Sequence, residues 1–338
     1  MKPRKRNEGR IGLLAVVAAC VWALVAATAA QATTITVGSV LSTKIEKHPF
    51  ENVATLLNTA LPEKGVNLTS PVNGTIIRWR IQGAVGGPFF LRVLRPSGSG
   101  SYTAAGTSAA ATPTNEGVQT FTTSLPVKAG DTIGVDPTHG SDEIGFATVP
   151  GGIYASIFPP PLEGATVASS NPKSGEELQL SAEVQPQPTI SSVSPRSGSV
   201  TGGSTVTLTG NYFGEATAVK FGEVPVTSYK VESETKLTAV VPRATKPGAI
   251  DVAVTTPGGT SEADSADRFE YLACVVPKLK GKRLGAAKNA LRSAGCTLGE
   301  ASGAKGRKAK VVKQRPKPGR VLAPGAKVNV KLGKPGKR

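Results

Sequence analysis

From residue 33 onward the chain is a succession of short segments in which apolar and polar residues alternate, each closed by glycine or proline. Such alternation puts every second side chain on one face of a strand, so the apolar set marks the buried face. Between residues 189 and 272 the sets are Val206 and Leu208; Val219 and Phe221; Leu237, Ala239 and Val241; and Ile250, Val252 and Val254. Upstream, "IIRWRI" sets Ile77, Trp79 and Ile81 against Ile76, Arg78 and Arg80, and "FLRVL" sets Leu91 and Val93 against Phe90, Arg92 and Leu94. "VQTFTTSLPVKAGDTIGVD" adds further strand patterns, with a turn at Ala129-Gly130-Asp131. Residues 50–60, "FENVATLLNTA", fit a helix and a strand equally. The period changes once: Leu284, Ala287, Leu291 and Ala294 recur at helical spacing until Gly295 stops the helix. Two alternating segments follow, around Lys310 to Gln314 and Ala326 to Leu332, with turns built on Pro316, Pro318-Gly319 and Pro324-Gly325.

Turn residues recur about every 8–12 positions, as in a chain of small β-sandwiches. The roughly 300 residues after position 32 are enough for two or three domains. Proline-rich "VQPQP" at 184–188 marks one boundary, and the passage from "DRFEYLA" to "CVVPKLKGK" marks the next. The predicted fold is mainly β and multidomain. Residues 33–185 form an N-terminal antiparallel β-sandwich, a jelly roll being one form of it; residues 186–272 form a second sandwich. Residues 273–333 form a small α+β domain, and 334–338 a basic tail.

Two of these regions carry family signatures. Ile190, Pro195, Gly198 and Gly202-Gly203 precede one strand, and Gly210 with Phe213 follows it. Val219-Lys220-Phe221-Gly222, Val241-Pro242 and Gly248 come later. This pattern resembles an IPT/TIG domain, which implies an immunoglobulin-like sandwich acting as a spacer or interaction module. In the C-terminal region, Val276-Pro277 and Gly281 open the domain, Ala286-Ala287 and Leu291 line its helix, and Gly295 ends it. Val312-x-Gln314-x-Pro316-x-x-Gly319 and Gly325-x-x-Val328 complete it. The pattern resembles a PASTA domain, the module of penicillin-binding proteins and bacterial serine/threonine kinases. That resemblance implies noncovalent binding of peptidoglycan or its fragments outside a bacterial cell. Family members often carry tandem copies, and a single copy without such avidity implies weak binding.

The N-terminus bears on the compartment. Lys2, Arg4, Lys5, Arg6 and Arg10 precede an apolar run from Ile11 to Ala30, and Ala30-Gln31-Ala32 offers a small-x-small cleavage pattern. This reads as a signal peptide, with a secreted or cell-envelope chain starting at Thr33. An uncleaved anchor is one competing reading, and a lipoprotein is another, because Val17-Ala18-Ala19-Cys20 resembles a lipobox. After residue 32 only Cys274 and Cys296 remain, an even number that predicts a disulfide in an oxidising compartment.

Charge is distributed unevenly. Residues 273–338 hold 19 Lys and Arg against a single acid, Glu300, so the basicity is local. Lys305, Arg307, Lys308, Lys310, Lys313, Arg315, Lys317 and Arg320 lie on or beside the predicted strands and turns, and are the candidate ligand-binding residues. Muropeptide carboxylates and wall-polymer phosphates are anions, so peptidoglycan or an anionic wall polymer is the expected partner. Export removes nucleic acid as a physiological partner. The N-terminal sandwich is left with carbohydrate or protein as expected partners.

No catalytic residue, cofactor site or metal site is assigned. Asp136, His139 and Asp142 lie close together in "DPTHGSDE", but its Pro, Gly and Ser read as a solvent loop. Gly202-Gly203 lacks the Gly-Lys-Ser/Thr of a phosphate loop and reads as a turn. Trp79 and Tyr102 could stack on sugars, although Trp79 on an alternating strand reads as core. The chain is expected to be a noncatalytic envelope protein. The alternative is an exported hydrolase or lyase with its site in the N-terminal sandwich.

Overall fold

The computed structural model describes residues 33–42, 44–49, 52–304, 306 and 308–333. The expected signal peptide or anchor, with Cys20, and the basic tail lie outside the described residues. Twelve described strands build the N-terminal part: β1 (Ile35–Gly38), β2 (Glu46–Pro49), β3 (Thr55–Ala60), β4 (Gly74–Ile81), β5 (Phe90–Gly98), β6 (Ser101–Thr107), β7 (Gln119–Val127), β8 (Thr132–Asp136), β9 (Glu143–Ile157), β10 (Thr166–Ala168), β11 (Ser170–Leu178) and β12 (Leu180–Pro186). One sheet runs β1-β12-β4-β7. The other runs β10-β6-β5-β8-β3-β9-β11, with β2 added beside β9. The chain passes between β1-β12-β4-β7 and the facing β6-β5-β8-β3 in the order of a jelly roll, and β9 to β11 extend the second sheet.

The core between the sheets takes Ile76, Trp79 and Ile81 from β4, Leu91 and Val93 from β5, Val135 from β8, and Leu180, Ala182 and Val184 from β12. Two details differ from the sequence pattern. Strict alternation groups Ile77 with Trp79 and Ile81, yet Ile76 is the buried partner and Ile77 is half-buried. The reason is a β-bulge at Ile77: β4 pairs Ile76 with Val184 and Arg78 with Glu183, which are adjacent residues on β12. The extra residue flips the pleat. Leu94, grouped with outward Phe90 and Arg92, is instead fully buried in a second cluster with Leu57, Ala155 and Ile157. Residues 55–60 resolve to a strand because β3 pairs with β8 on one side and β9 on the other. Phe50 and Glu51 lie outside the described residues.

Charged residues at the sheets are paired across strands. Arg95 binds the buried Asp131 carboxylate through two hydrogen bonds of 2.9 Å, and Asp131 also accepts the Lys128 backbone N–H, fixing the predicted turn. Glu183 on β12 accepts hydrogen bonds from Arg78 and Arg80 on β4. Burial alone would raise the Glu183 pKa, but the two guanidinium groups together outweigh it and hold the carboxyl below its ordinary value of 4.5. The contribution to stability is therefore complete above the unfolded value and disappears as pH falls through the lower folded value. Glu183→Gln should destabilise the sandwich by about 1–3 kcal/mol at neutral pH, the usual range for a lost charged hydrogen-bond partner. It should also flatten the fall in stability as pH drops below about 4.5, as measured by urea unfolding across pH.

The second sandwich comprises β13 (Thr189–Ser194), β14 (Ser197–Ser199), β15 (Thr205–Asn211), β16 (Ala218–Phe221), β17 (Val224–Pro225), β18 (Tyr229–Ser233), β19 (Lys236–Val240), β20 (Gly248–Thr256), β21 (Gly259–Thr260) and β22 (Arg268–Leu272). Sheets β13-β15-β19-β18 and β14-β22-β20-β16-β17 enclose one core, with β21 beside β20. The alternating sets read from the sequence are its inner face, apart from Ile250, which is half-buried at the core edge. Gly202 makes the predicted turn: its φ is +69°, and a Cβ there would lie 2.7 Å from the Val241 carbonyl oxygen. The two sandwiches touch directly, with the Thr75 hydroxyl donating to the Gly258 carbonyl at 3.1 Å.

Candidate functional site

The C-terminal domain consists of β23 (Cys274–Val275), α1 (Leu284–Ser293), β24 (Thr297–Gly303), β25 (Lys310–Arg315), β26 (Val321–Leu322) and β27 (Lys327–Gly333). Helix α1 buries Ala287 and Leu291 as its spacing predicts, whereas Leu284 at its first turn stays exposed and Ala294 caps the end half-buried. Gly295 halts the helix at φ +67°, where a Cβ would meet the Ala273 carbonyl oxygen at 2.4 Å. Cys274 and Cys296 form a disulfide with Cα atoms 4.6 Å apart. It ties the entry strand to the residue just after the helix.

The sheet runs β24-β27-β25, with β24 parallel to β27 and β25 antiparallel to it. Strand β24 escapes the sequence reading because "TLGEASG" has no alternation and only Leu298 and Gly299 are even half-buried. Val311, Val328, Val330 and Leu332 face the core. The opposite face is solvent-exposed and basic. Lys313 lies directly across from Lys331, Arg315 from Asn329, and Lys310 from Gly333. Lys327 and Lys331 alternate with the buried valines along β27. On the outer edge of β25, Val311 accepts from Gly281 and donates to the Lys282 carbonyl, and Arg283 bridges Lys310.

Three of the eight candidates, Lys310, Lys313 and Arg315, thus share one face. Lys308 precedes it, and Lys317 and Arg320 occupy the turn between β25 and β26, all exposed. Lys305 and Arg307 lie outside the described residues. Lys327 and Lys331 were missed, although the alternation of "AKVNVKL" puts its lysines on the outer face. Among the described residues, none of these cations is paired with an acid. Two residues in the signature are structural. Gln314 accepts from the Leu279 N–H at 2.8 Å and donates to the Pro277 carbonyl at 2.9 Å, clamping the entry segment onto β25. Gly319 donates its N–H to the Val276 carbonyl.

Residues 188–271 match the IPT/TIG domain model, and residues 275–334 match that of the PASTA domain. The chain carries an IPT/TIG domain followed by a PASTA domain. An 81-residue stretch is 33% identical to Protein SPT23 of Saccharomyces cerevisiae, covering 24% of this chain and 8% of that protein. The chain thus spans under a tenth of that relative. Among solved structures, SGBP-B from a complex xyloglucan utilization locus in Bacteroides uniformis aligns at 19% identity and TM-score 0.22, over 69% of this chain and 51% of that one. Gamma-CGTase of an alkalophilic Bacillus clarkii aligns at 20% identity and TM-score 0.23, over 38% of this chain and 20% of that one.

Outside the PASTA domain, His139 Nδ1 lies 3.7 Å from Asp142 Oδ1, whereas Asp136 on β8 is engaged by Thr55 and Arg92, and both carboxylates are held as acceptors. Asp142, 2% exposed, takes the backbone N–H groups of Thr138 and His139 (2.9 Å each) and of Gly87 (2.8 Å). Asp136 takes the Thr55 hydroxyl and the Arg92 guanidinium at 2.5 Å each; burial raises its pKa against the opposing pull of these two partners. The loop is built around Asp142. Trp79 is 1% exposed, inside the core, and Tyr102 packs half-buried against the second cluster, where burial raises its hydroxyl pKa. Among the described residues, Glu46, His48 and Glu176 are those whose ligand atoms converge within 4.8 Å, close enough to be candidate ligands of a metal ion.

Proposed function

We propose that the chain is a noncatalytic cell-envelope protein held to peptidoglycan or an anionic wall polymer by the basic face of its PASTA domain, with the IPT/TIG domain as a spacer. A PASTA domain, an IPT/TIG domain and a disulfide fit a binding protein outside the cytoplasm, and among the described residues no helix is long and apolar enough to cross a membrane. The observation that carries the reading is Lys313 directly opposite Lys331, with neither ion-paired to an acid among the described residues. Like charges across a strand pair oppose folding. An arrangement that raises the free energy of the fold while concentrating positive potential on one exposed face suits an anionic ligand.

The test is cosedimentation of residues 33–338 with purified cell wall over rising salt, beside a 33–272 truncation and Lys313→Glu. Binding should require residues 273–338 and should fall in Lys313→Glu. That variant should fold at least as stably as the parent, by up to about 1 kcal/mol, because a repulsive pair becomes an attractive one. Wall stripped of its anionic polymers separates the ligands. Binding that survives stripping and 1 M salt, where the screening length is about 3 Å, points to peptidoglycan. Binding that disappears with either points to the polymer's charge. Binding unchanged by the truncation overturns the proposal.

A further inference from the structure

We infer that the N-terminal jelly roll holds a first-row divalent metal ion of the zinc class at Glu46, His48 and Glu176. Their ligand atoms lie within 4.8 Å of one another, and bonds of about 2.0–2.2 Å to a common ion would draw them somewhat closer by small side-chain rotations. The fold explains the convergence. Glu46 and His48 are two apart on β2, so both side chains leave the same face, and β2 pairs with one side of the first half of β9. Strand β11 pairs with its other side and brings Glu176 opposite Thr148. Side chains from the two flanking strands then meet above β9. Sequence alone separates the third ligand from the first two by nearly the whole domain.

The independent observation is the state of His48 Nε2. The side chain as a whole is 42% exposed, but Nε2 itself is turned inward without a hydrogen-bond partner and stands 3.6 Å from Glu176 Oε1, too far for a hydrogen bond. A shielded imidazole nitrogen without a partner is unfavourable in the absence of a third atom. An ion between nitrogen and carboxylate satisfies both. The ring packs edge-on against Phe146, centroids 5.1 Å apart, which restrains its orientation. One imidazole and two carboxylates suit zinc and its first-row neighbours better than calcium. Three protein ligands leave at least one position open. His48, Tyr154 and Lys173 line a common groove of about 500 Å³, so that position has a route to solvent or to a donor ligand.

Residues 33–338 contain two histidines, His48 and His139, and no cysteine outside the disulfide, so the test has little background. Tag-free protein is titrated with Zn²⁺ by calorimetry and with Co²⁺ by visible absorption. The expected result is saturable one-to-one binding with a rise in the melting temperature of the N-terminal domain, unchanged in His139→Ala. His48→Ala should abolish it, and Glu176→Gln should weaken it at least about 10-fold, while both variants keep the parent circular-dichroism spectrum. Absence of saturable binding to the parent overturns the inference. So does binding retained in His48→Ala, because the ion then sits elsewhere.

Discussion

Replacing Trp79 with alanine is expected to destabilise the jelly roll by about 3–5 kcal/mol, the largest single effect in the chain. The side chain is 1% exposed and sits between the two sheets, with the Phe121 ring 5.0 Å from its own. Its strand is central in its sheet, paired with β12 on one side and β7 on the other, so the surrounding backbone cannot easily collapse into the void. A whole domain is typically stable by only 5–15 kcal/mol, and the loss takes a large part of that. The core of the second sandwich is a separate cluster, so the damage should stay local. Hydrogen exchange checks this directly: amide protection should fall in β4, β5, β8 and β12 and remain at parent values in β15, β19 and β20. A loss below about 1 kcal/mol would contradict the packing described, since it would mean an exposed or readily repacked indole.

Loss of the Cys274–Cys296 bond should have the next largest effect, about 3 kcal/mol on the PASTA domain. The two cysteines are separated by 22 positions, and the closed loop contains the whole of α1. Without the bond the unfolded chain regains that loop entropy, and a domain this small has little other core with which to compensate. The double variant Cys274→Ala, Cys296→Ala should therefore lower protection in α1, β25 and β27 while both sandwiches keep theirs. The same variant sharpens the functional reading. An unfolded segment carries the same charge as a folded one, so wall binding that persists unchanged after the domain melts shows attraction by charge alone. Binding that falls with the fold shows that the ordered face of Lys310, Lys313, Arg315, Lys327 and Lys331 is the receptor.

Local pattern carried most of the architecture. Leu237, Ala239 and Val241 are inward because a strand has a side-chain period of two, and no tertiary knowledge is needed to see it. Ala287 and Leu291 are inward for the corresponding helical reason, and Trp79 is core on the same logic. Where one extra residue enters a strand, the logic breaks: Ile77 is displaced by a bulge that depends on the register of β12 and is invisible within β4 itself. Strand β24 has no alternation to read, because its place comes from parallel pairing with β27 and scarcely from its own apolar face.

The sequence by itself determined which domains the chain carries, where its positive charge lies, and that its two cysteines after residue 32 are available to each other, because each is a property of composition or of short-range spacing. Only the tertiary structure decided which charges act together. Register across β25 and β27 places Lys313 against Lys331, and pairing on both sides of β9 brings Glu176 to His48. Such contacts join residues far apart in the chain, and their energies depend on distances of a few ångströms that no local pattern encodes.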